Sequence, residues 1–307
     1  MYLQHFGFNE FPFSLTPNLR FFCNLEAYKE ALNVITVSLY NGEGFVKITG
    51  EVGTGKTLLC RKVLNTLGNE YKTAYISNPT LDTFNLQKAI ARELEIAFPE
   101  NIDNHGLLNL LTNQLIEIHK NNKRVIIIID EAHVLSDESL EGLRLLSNLE
   151  TETTKLMQII LVGQPELDKR LKKSHLRQLK QRIVFSYNLP TLRDKEFLAY
   201  VSLRLTAAGY NNTCDALFSR PALKLLFKAS QGIPRLINIL SHKALLITYG
   251  YNKKKIDIAA IKMAVADTGN YNPTTSKYYY LLKIGIISLS LIALGLSIHF
   301  ILKSFSI

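Results

Sequence analysis

Two short stretches hold the residue types and spacing that chemistry needs. Gly50-Glu51-Val52-Gly53-Thr54-Gly55-Lys56-Thr57 fits the phosphate-loop spacing G-x-x-x-x-G-K-[ST]. Asp130-Glu131 follows the apolar run Val125-Ile126-Ile127-Ile128-Ile129. In the first stretch, glycines at 50, 53 and 55 let backbone N–H groups approach phosphate oxygens. A helix beginning there would turn its positive end toward them. Lys56 would reach the β- and γ-phosphates of ATP, and the Thr57 hydroxyl would ligate Mg2+. Asp130 ends a hydrophobic strand, where open α/β sheets place their ligand groups. It would hold the magnesium ion directly or through water, and Glu131 would orient the attacking water as base. Adjacent carboxylates after an isoleucine run also suit a helix N-terminus. The phosphate loop upstream favours the catalytic reading.

Other candidates stay open on spacing alone. Gln164, in Gly163-Gln164-Pro165-Glu166, would either sense the γ-phosphate or fill a turn. Arg177 and Arg182 lie in a basic stretch from Lys169 to Arg182, which is either a solvated face or the source of an arginine that enters a neighbouring subunit's site. Arg235, in Gly232-Ile233-Pro234-Arg235, stands in the first turn of a helix and would fold over the γ-phosphate or remain a surface charge. His133 completes Asp-Glu-Ala-His, as an exposed or packed histidine.

These residues need a scaffold. Phe45–Thr49 predicts a strand running into the loop, with a helix over Leu58–Leu67 after it. Further strands are expected at Thr73–Ser77, Val125–Ile129, Leu156–Val162 and Ile183–Tyr187, alternating with helices near Glu26–Leu39, Thr83–Ile96, Asn104–Lys120 and Asp137–Asn148. Helical pieces are expected between Pro165 and Gln181. The uninterrupted β-branched run at 125–129 suits a central strand of a parallel sheet covered on both faces. The alternation predicts a doubly wound parallel α/β domain over residues 26–190. Beyond Pro190 the pattern is helical, at about Arg193–Ala208, Ser219–Ala229, Pro234–Tyr249 and Asp257–Ala266, and predicts a helical lid over 191–268. Residues 1–25 are rich in Phe and Pro without a helical or strand period, and predict an extended segment pinned by its rings.

The chain has 307 residues, a formal net charge of +10 and three scattered cysteines without C-x-x-C spacing. That cysteine usage argues against a disulfide framework and against a zinc site, and suits a reducing compartment. The positive charge allows an acidic partner, nucleic acid or anionic lipid. Met1 to Asn9 has neither a basic n-region nor a continuous apolar h-region, so no signal peptide is expected there. Near the other end, the nineteen residues from Ile284 to Leu302 carry no formal charge. Tyr278-Tyr279-Tyr280 precede them, with Lys277 and Lys283 on the near side and Lys303 on the far side. The pattern predicts a linker at 269–280, a transmembrane helix at 281–302 and a short tail at 303–307.

Taken together, Gly-Glu-Val-Gly-Thr-Gly-Lys-Thr, Ile-Asp-Glu-Ala-His, Gly-Gln-Pro-Glu-Leu, Arg-Gln-Leu-Lys-Gln-Arg-Ile and Gly-Ile-Pro-Arg-Leu-Ile-Asn, in this order, resemble the ExeA/GspA branch of AAA+ ATPases. That branch serves type II secretion and related pilus assembly. The opening Phe-Pro-Phe-Ser-Leu-Thr-Pro-Asn looks like its N-terminal motif, and the likeness is greatest to the shorter members that serve MSHA pilus biogenesis. It covers roughly residues 2–268. The resemblance implies an AAA+ P-loop fold and a Mg2+-dependent ATPase on the cytoplasmic face of a bacterial inner membrane. It implies homo-oligomers in which Arg177 or Arg182 completes a neighbour's site, with Gln164 as sensor 1 and Arg235 as sensor 2. The implied partners are an inner-membrane secretion or pilus assembly protein and the lipid bilayer, reached through the C-terminal helix, and nucleic acid is not expected. Two departures stand out. The family commonly has Gln where this chain has His133, and long members continue into a peptidoglycan-binding domain where only Lys303 to Ile307 follows here. Direct peptidoglycan binding is therefore not expected. The alternative reading is a DNA-associated AAA+ regulator of the transposition or replication-initiation type, disfavoured by the expected anchor and by the lack of a recognisable helix-turn-helix after the lid.

Overall fold

Five stretches rich in β-branched and aromatic residues become the five strands of one sheet: β1 (Phe45–Gly50), β2 (Tyr71–Ile76), β3 (Arg124–Ile129), β4 (Met157–Gly163) and β5 (Ile183–Leu189). The computed structural model describes residues 2–150 and 155–269. The strands run parallel in the order β2-β3-β4-β1-β5. β4 thus lies between β1 and β3, with Val46 opposite Ile160 and Ile128 opposite Ile160 from the other side. This order has a direct consequence for the chemistry. The C-terminal ends of β1, β4 and β3 bring the phosphate loop, Gln164 and Asp130-Glu131 side by side at one edge of the sheet.

Both faces of the sheet are covered, so its central strands are apolar throughout and not merely alternating. Phe45, Ile127, Ile129, Ile159 and Leu161 face one core, closed by α4 (Thr83–Glu93), α5 (Asn104–Lys120) and α6 (Asp137–Leu146). Val46, Ile48, Ile126, Ile128 and Ile160 face the other, closed by α2 (Glu26–Tyr40) and α3 (Lys56–Thr66). Side-chain caps fix the helix starts on the first face. Asp82 accepts the Asn85 N–H at 2.8 Å, Asp103 that of Gly106 at 2.7 Å and Ser136 that of Ser139 at 3.0 Å. Helix α3 has no side-chain cap; Gly55 stands at that position in the left-handed region.

After β4 come α7 (Glu166–Arg170), a 3-10 turn at Ser174–Leu176 and α8 (Arg177–Arg182). Beyond β5 lies a helical bundle: α9 (Asp194–Ala207), α10 (Cys214–Leu217), α11 (Arg220–Ser230), α12 (Pro234–Gly250) and α13 (Ile258–Thr268). Its core is continuous with the α2/α3 core of the sheet domain, because Phe197, Val201, Leu226 and Ile237 belong to the same cluster as Ile48 and Leu59.

The first residues depart from the extended segment that their composition predicts. Tyr2–Phe6 forms a helical turn (α1) and Leu19–Phe21 a 3-10 turn. The rings dock mainly on the helical bundle: Phe8 on Tyr210, Phe13 on Phe218, and the Tyr2 hydroxyl 2.9 Å from His242 Nδ1. An aromatic run pays its ordering cost only where a large apolar surface awaits it, and here that surface comes from residues some 200 positions away in sequence. The expected transmembrane helix at 281–302, the linker residues after Gly269 and the tail at 303–307 lie outside the described residues. Among the described residues no helix is long and apolar enough to cross a membrane.

Candidate nucleotide site

The loop between β1 and α3 has the backbone that close phosphate approach demands. Gly53 and Gly55 lie at φ +81° and +95°, where side chains are strained. A Cβ on Gly53 would meet the Arg235 Cβ at 2.6 Å, and one on Gly55 would meet the Tyr28 hydroxyl at 2.7 Å. The loop is therefore pressed from two sides. On one side the Tyr28 hydroxyl of α2 donates to the Thr54 carbonyl at 2.5 Å. On the other, the Arg235 N–H at the start of α12 donates to the Gly53 carbonyl at 3.1 Å. Thr54 is buried, and its hydroxyl closes the loop internally by donating to the Glu51 carbonyl at 2.9 Å. Glu51 and Val52 stand exposed at the loop's tip.

Lys56 is only 5% exposed, and its ammonium donates to the carbonyls of Gly50 at 2.8 Å and Glu51 at 2.9 Å. Burial pulls its pKa below the ordinary lysine value, against the opposing pull of the Glu131, Asp130 and Glu51 carboxylates. Such an ammonium beside an uncapped helix N-terminus is an anion-accepting arrangement.

The acidic pair is held from several directions. Asp130 is buried, and its Oδ2 accepts the Thr57 hydroxyl at 2.7 Å and the Tyr75 hydroxyl at 3.2 Å. Its Oδ1 accepts the Glu131 N–H at 2.9 Å. Glu131 itself lies at φ +54°, ψ +33°, a left-handed conformation that costs a non-glycine residue about 1 kcal/mol or more. Gln164 Nε2 donates to Glu131 Oε2 at 3.3 Å, and His133 Nδ1 lies 3.4 Å from the same oxygen. The expected turn-or-sensor residue Gln164 thus touches the expected base.

Gly53, Gly55, Lys56, Thr57, Glu131, Gln164 and Arg235 line one cavity of about 340 Å3. The volume lies within the range of small-molecule sites. Arg177 and Arg182 do not line it. Arg182 is spent within the chain, donating to the Ser147 hydroxyl at 2.8 Å and the Arg144 carbonyl at 3.3 Å. Arg177 is exposed and, among the described residues, makes no ion pair or side-chain hydrogen bond.

The cavity's remaining wall was not foreseen from spacing. It consists of Ser14 to Asn18, Phe21 and Phe22 from the N-terminal segment, Tyr28 from α2, and Tyr200, Arg204 and Asn238 from the bundle. Arg204, 4% exposed, straps the segment down. Its Nε donates to the Pro12 carbonyl at 2.7 Å, its Nη2 to the Ser14 carbonyl at 2.6 Å, and its guanidinium lies 4.3 Å from the Phe21 ring centre. The Phe-Pro motif marks the segment in the sequence, but nothing marks an arginine 190 positions later as its partner. Arg204→Met, which keeps bulk and removes the donors, is expected to destabilise the chain by roughly 1–4 kcal/mol, because one buried and one half-buried carbonyl lose their partners. Thermal unfolding of the full chain measures this.

The pair Thr57 and Asp130 also suits a magnesium ion, which takes one or two carboxylates and draws its remaining ligands from phosphates and water. Among the described residues there is no cluster of three or more His, Cys, Asp or Glu that would form a self-contained protein cage.

Residues 39–171 match the AAA domain family. The matched residues hold β1 to β4 and the loop between β1 and α3. This is an AAA-type P-loop fold. The ORC2 protein of Aeropyrum pernix, in its ADPNP-ADP complexes, shares the AAA fold at a TM-score of 0.60 and 17% identity, over 86% of this chain and 74% of that one. The Aeropyrum pernix ORC1 protein in complex with DNA gives a TM-score of 0.63 at 16% identity, over 85% and 70%. A nearer relative in sequence is the general secretion pathway protein A of Aeromonas hydrophila, 40% identical over 264 residues. That alignment covers 86% of this chain, and the chain spans about half of the relative, 48% of its length.

Proposed function

We propose that this chain is a membrane-anchored ATPase of the ExeA/GspA type. Its ATP cycle drives assembly of a secretion or MSHA-type pilus apparatus at the bacterial inner membrane. The observation that carries the ATPase reading is the convergence of Lys56, Thr57, Glu131 and Gln164 on one cavity, with Asp130 buried directly behind Thr57. The likeness to a general secretion pathway protein A supports the assignment to secretion. The uncharged run at 284–302 supports an anchor, with the ATPase domain cytoplasmic.

In this reading the N–H groups at the start of α3 take the phosphates, and the Lys56 ammonium exchanges its loop carbonyls for phosphate oxygens. Thr57 and Asp130 would hold Mg2+, which would supply charge neutralisation to the phosphates. Glu131 orients water and accepts its proton, while Gln164 fixes the carboxylate's direction. Arg235 lies on the helix that touches Gly53, so bundle and loop report nucleotide to each other through one backbone bond. Homo-oligomers bring Arg177 to a neighbour's site. Likeness of fold to a DNA-bound ORC1 does not carry DNA binding to this chain, and the +10 charge equally suits anionic lipid.

Nucleotide binding tests the core of the proposal. A fluorescent ATP analogue is expected to bind the full chain and to bind Lys56→Ala at least about tenfold more weakly, as a charge-assisted phosphate contact is worth ~1.5–3 kcal/mol. Equal affinity in the two proteins would remove the loop from the site.

A further inference from the structure

Three segments of the chain meet at Asp137, the first residue of α6. Its Oδ1 accepts Arg170 Nε at 3.1 Å together with Arg170 Nη2, and its Oδ2 accepts Lys173 Nζ at 2.8 Å and lies 2.8 Å from His175 Nε2. Lys173, Arg170 and His175 together hold this carboxyl well below the usual carboxylate range. The remaining arm of Arg170 points the other way. Its Nη1 donates to the His133 carbonyl at 2.9 Å and also to the Leu135 carbonyl. Those carbonyls belong to the 3-10 turn Ala132–Val134 and its cap, which follow Glu131 directly. The turn's own hydrogen bonds are few: Val134 N–H to the Glu131 carbonyl at 3.0 Å and Leu135 N–H to the Ala132 carbonyl at 3.3 Å.

A left-handed glutamate persists only where its surroundings over-determine it. Asp130 Oδ1 holds the front of the turn through the Glu131 N–H, and Arg170 holds the back. Arg170 is well suited to this because a guanidinium fork serves a carboxylate and two carbonyls at once, where a lysine is a single point of charge. With a side chain 22% exposed, it is partly shielded from competing water.

We propose that Arg170 is a positioning residue for Glu131, acting through the His133 and Leu135 carbonyls with Asp137 as its anchor. The inference deepens the reading of Glu131 as the base and rests on it. The same clamp fixes Lys173 and His175, which lead directly into α8 and Arg177, so one junction sets both the base and the arginine offered to a neighbour.

The test compares Arg170→Gln, Arg170→Lys and Asp137→Asn with the parent full chain. In both Arg170 variants kcat is expected to fall about ten- to a hundredfold, the cost of a small misplacement of a catalytic group, with affinity for a fluorescent ATP analogue within about twofold. Amide hydrogen exchange over residues 131–137 is expected to accelerate. Lysine, which keeps the charge and loses the fork, is expected to be as slow as glutamine. A wild-type rate in Arg170→Lys, or unchanged exchange at 131–137, overturns the proposal. Should the Arg170 variants fail to fold, Asp137→Asn decides. It keeps shape and an acceptor, and faster exchange with a lowered kcat supports the clamp, whereas no change in either overturns it. Glu131→Gln is measured alongside. Turnover by that variant would count against the base and not against the clamp, which the exchange reads without turnover.

Discussion

Glu131→Gln is expected to bind ATP with near wild-type affinity and to release phosphate about 10²–10⁴ times more slowly, the usual contribution of a positioned general base. The geometry explains why the two effects separate. Glutamine fills the same volume, and its carbonyl oxygen can still accept from Gln164 Nε2, so the left-handed turn keeps its lateral contact. The proposed phosphate contacts would come from other residues, Lys56 and the first turn of α3, which the substitution leaves untouched. What disappears is the only carboxylate among the described residues that line the cavity, since Asp130 is buried beneath Thr57 and Tyr75. Equilibrium binding of a fluorescent analogue and steady-state phosphate release, measured on one preparation, check both halves. Turnover close to wild type would remove Glu131 from the base role.

Arg177→Ala carries the second large effect. An arginine supplied to a neighbour's site is worth about 10³–10⁵ in kcat, and Arg177 is the better placed of the two candidates. Its side chain is exposed and has no ion-pair or hydrogen-bond partner among the described residues, whereas Arg182 already caps the end of α6 through Ser147 and Arg144. Arg177→Ala oligomers are therefore expected to bind nucleotide and hardly turn it over. Mixing them with Lys56→Ala subunits, each inactive alone, is expected to restore part of the activity, because some interfaces then pair an intact loop with an intact arginine. Absence of rescue in oligomers shown to mix would leave Arg177 as a surface charge. Arg182→Ala would register instead as a loss of stability.

The sheet and its loop were legible because they rest on local signals. The run Val125–Ile129 has too many β-branched residues for anything but a covered strand, and the loop's glycines and lysine need only the strand before and the helix after. Strand and helix ends shifted by a residue or a few, as at β5, which continues to Leu189. The far wall of the cavity was not legible, because it depends on partners distant in sequence. Phe13 meets Phe218, Tyr2 meets His242, and Arg204 meets Pro12 and Ser14. No period within residues 1–25 could encode those contacts. Tyr75 illustrates another limit: on a half-buried strand a tyrosine reads as ordinary packing, and only the register of β2 against β3 brings its hydroxyl to Asp130. The ambiguity between Arg177 and Arg182 had the same origin. They stand five positions apart in one basic stretch, and nothing local marks that a neighbouring helix end takes up the Arg182 guanidinium.

As proposed, the loop at 50–57 and Asp130-Glu131 form a working site for ATP hydrolysis. Phosphate release from ATP by the full chain in the presence of Mg2+, with Lys56→Ala as the blank, bears on it most directly. Steady release is expected from the parent chain and none above background from the variant. Equal release from both proteins, or no release from oligomeric parent chain that binds ATP, would contradict it.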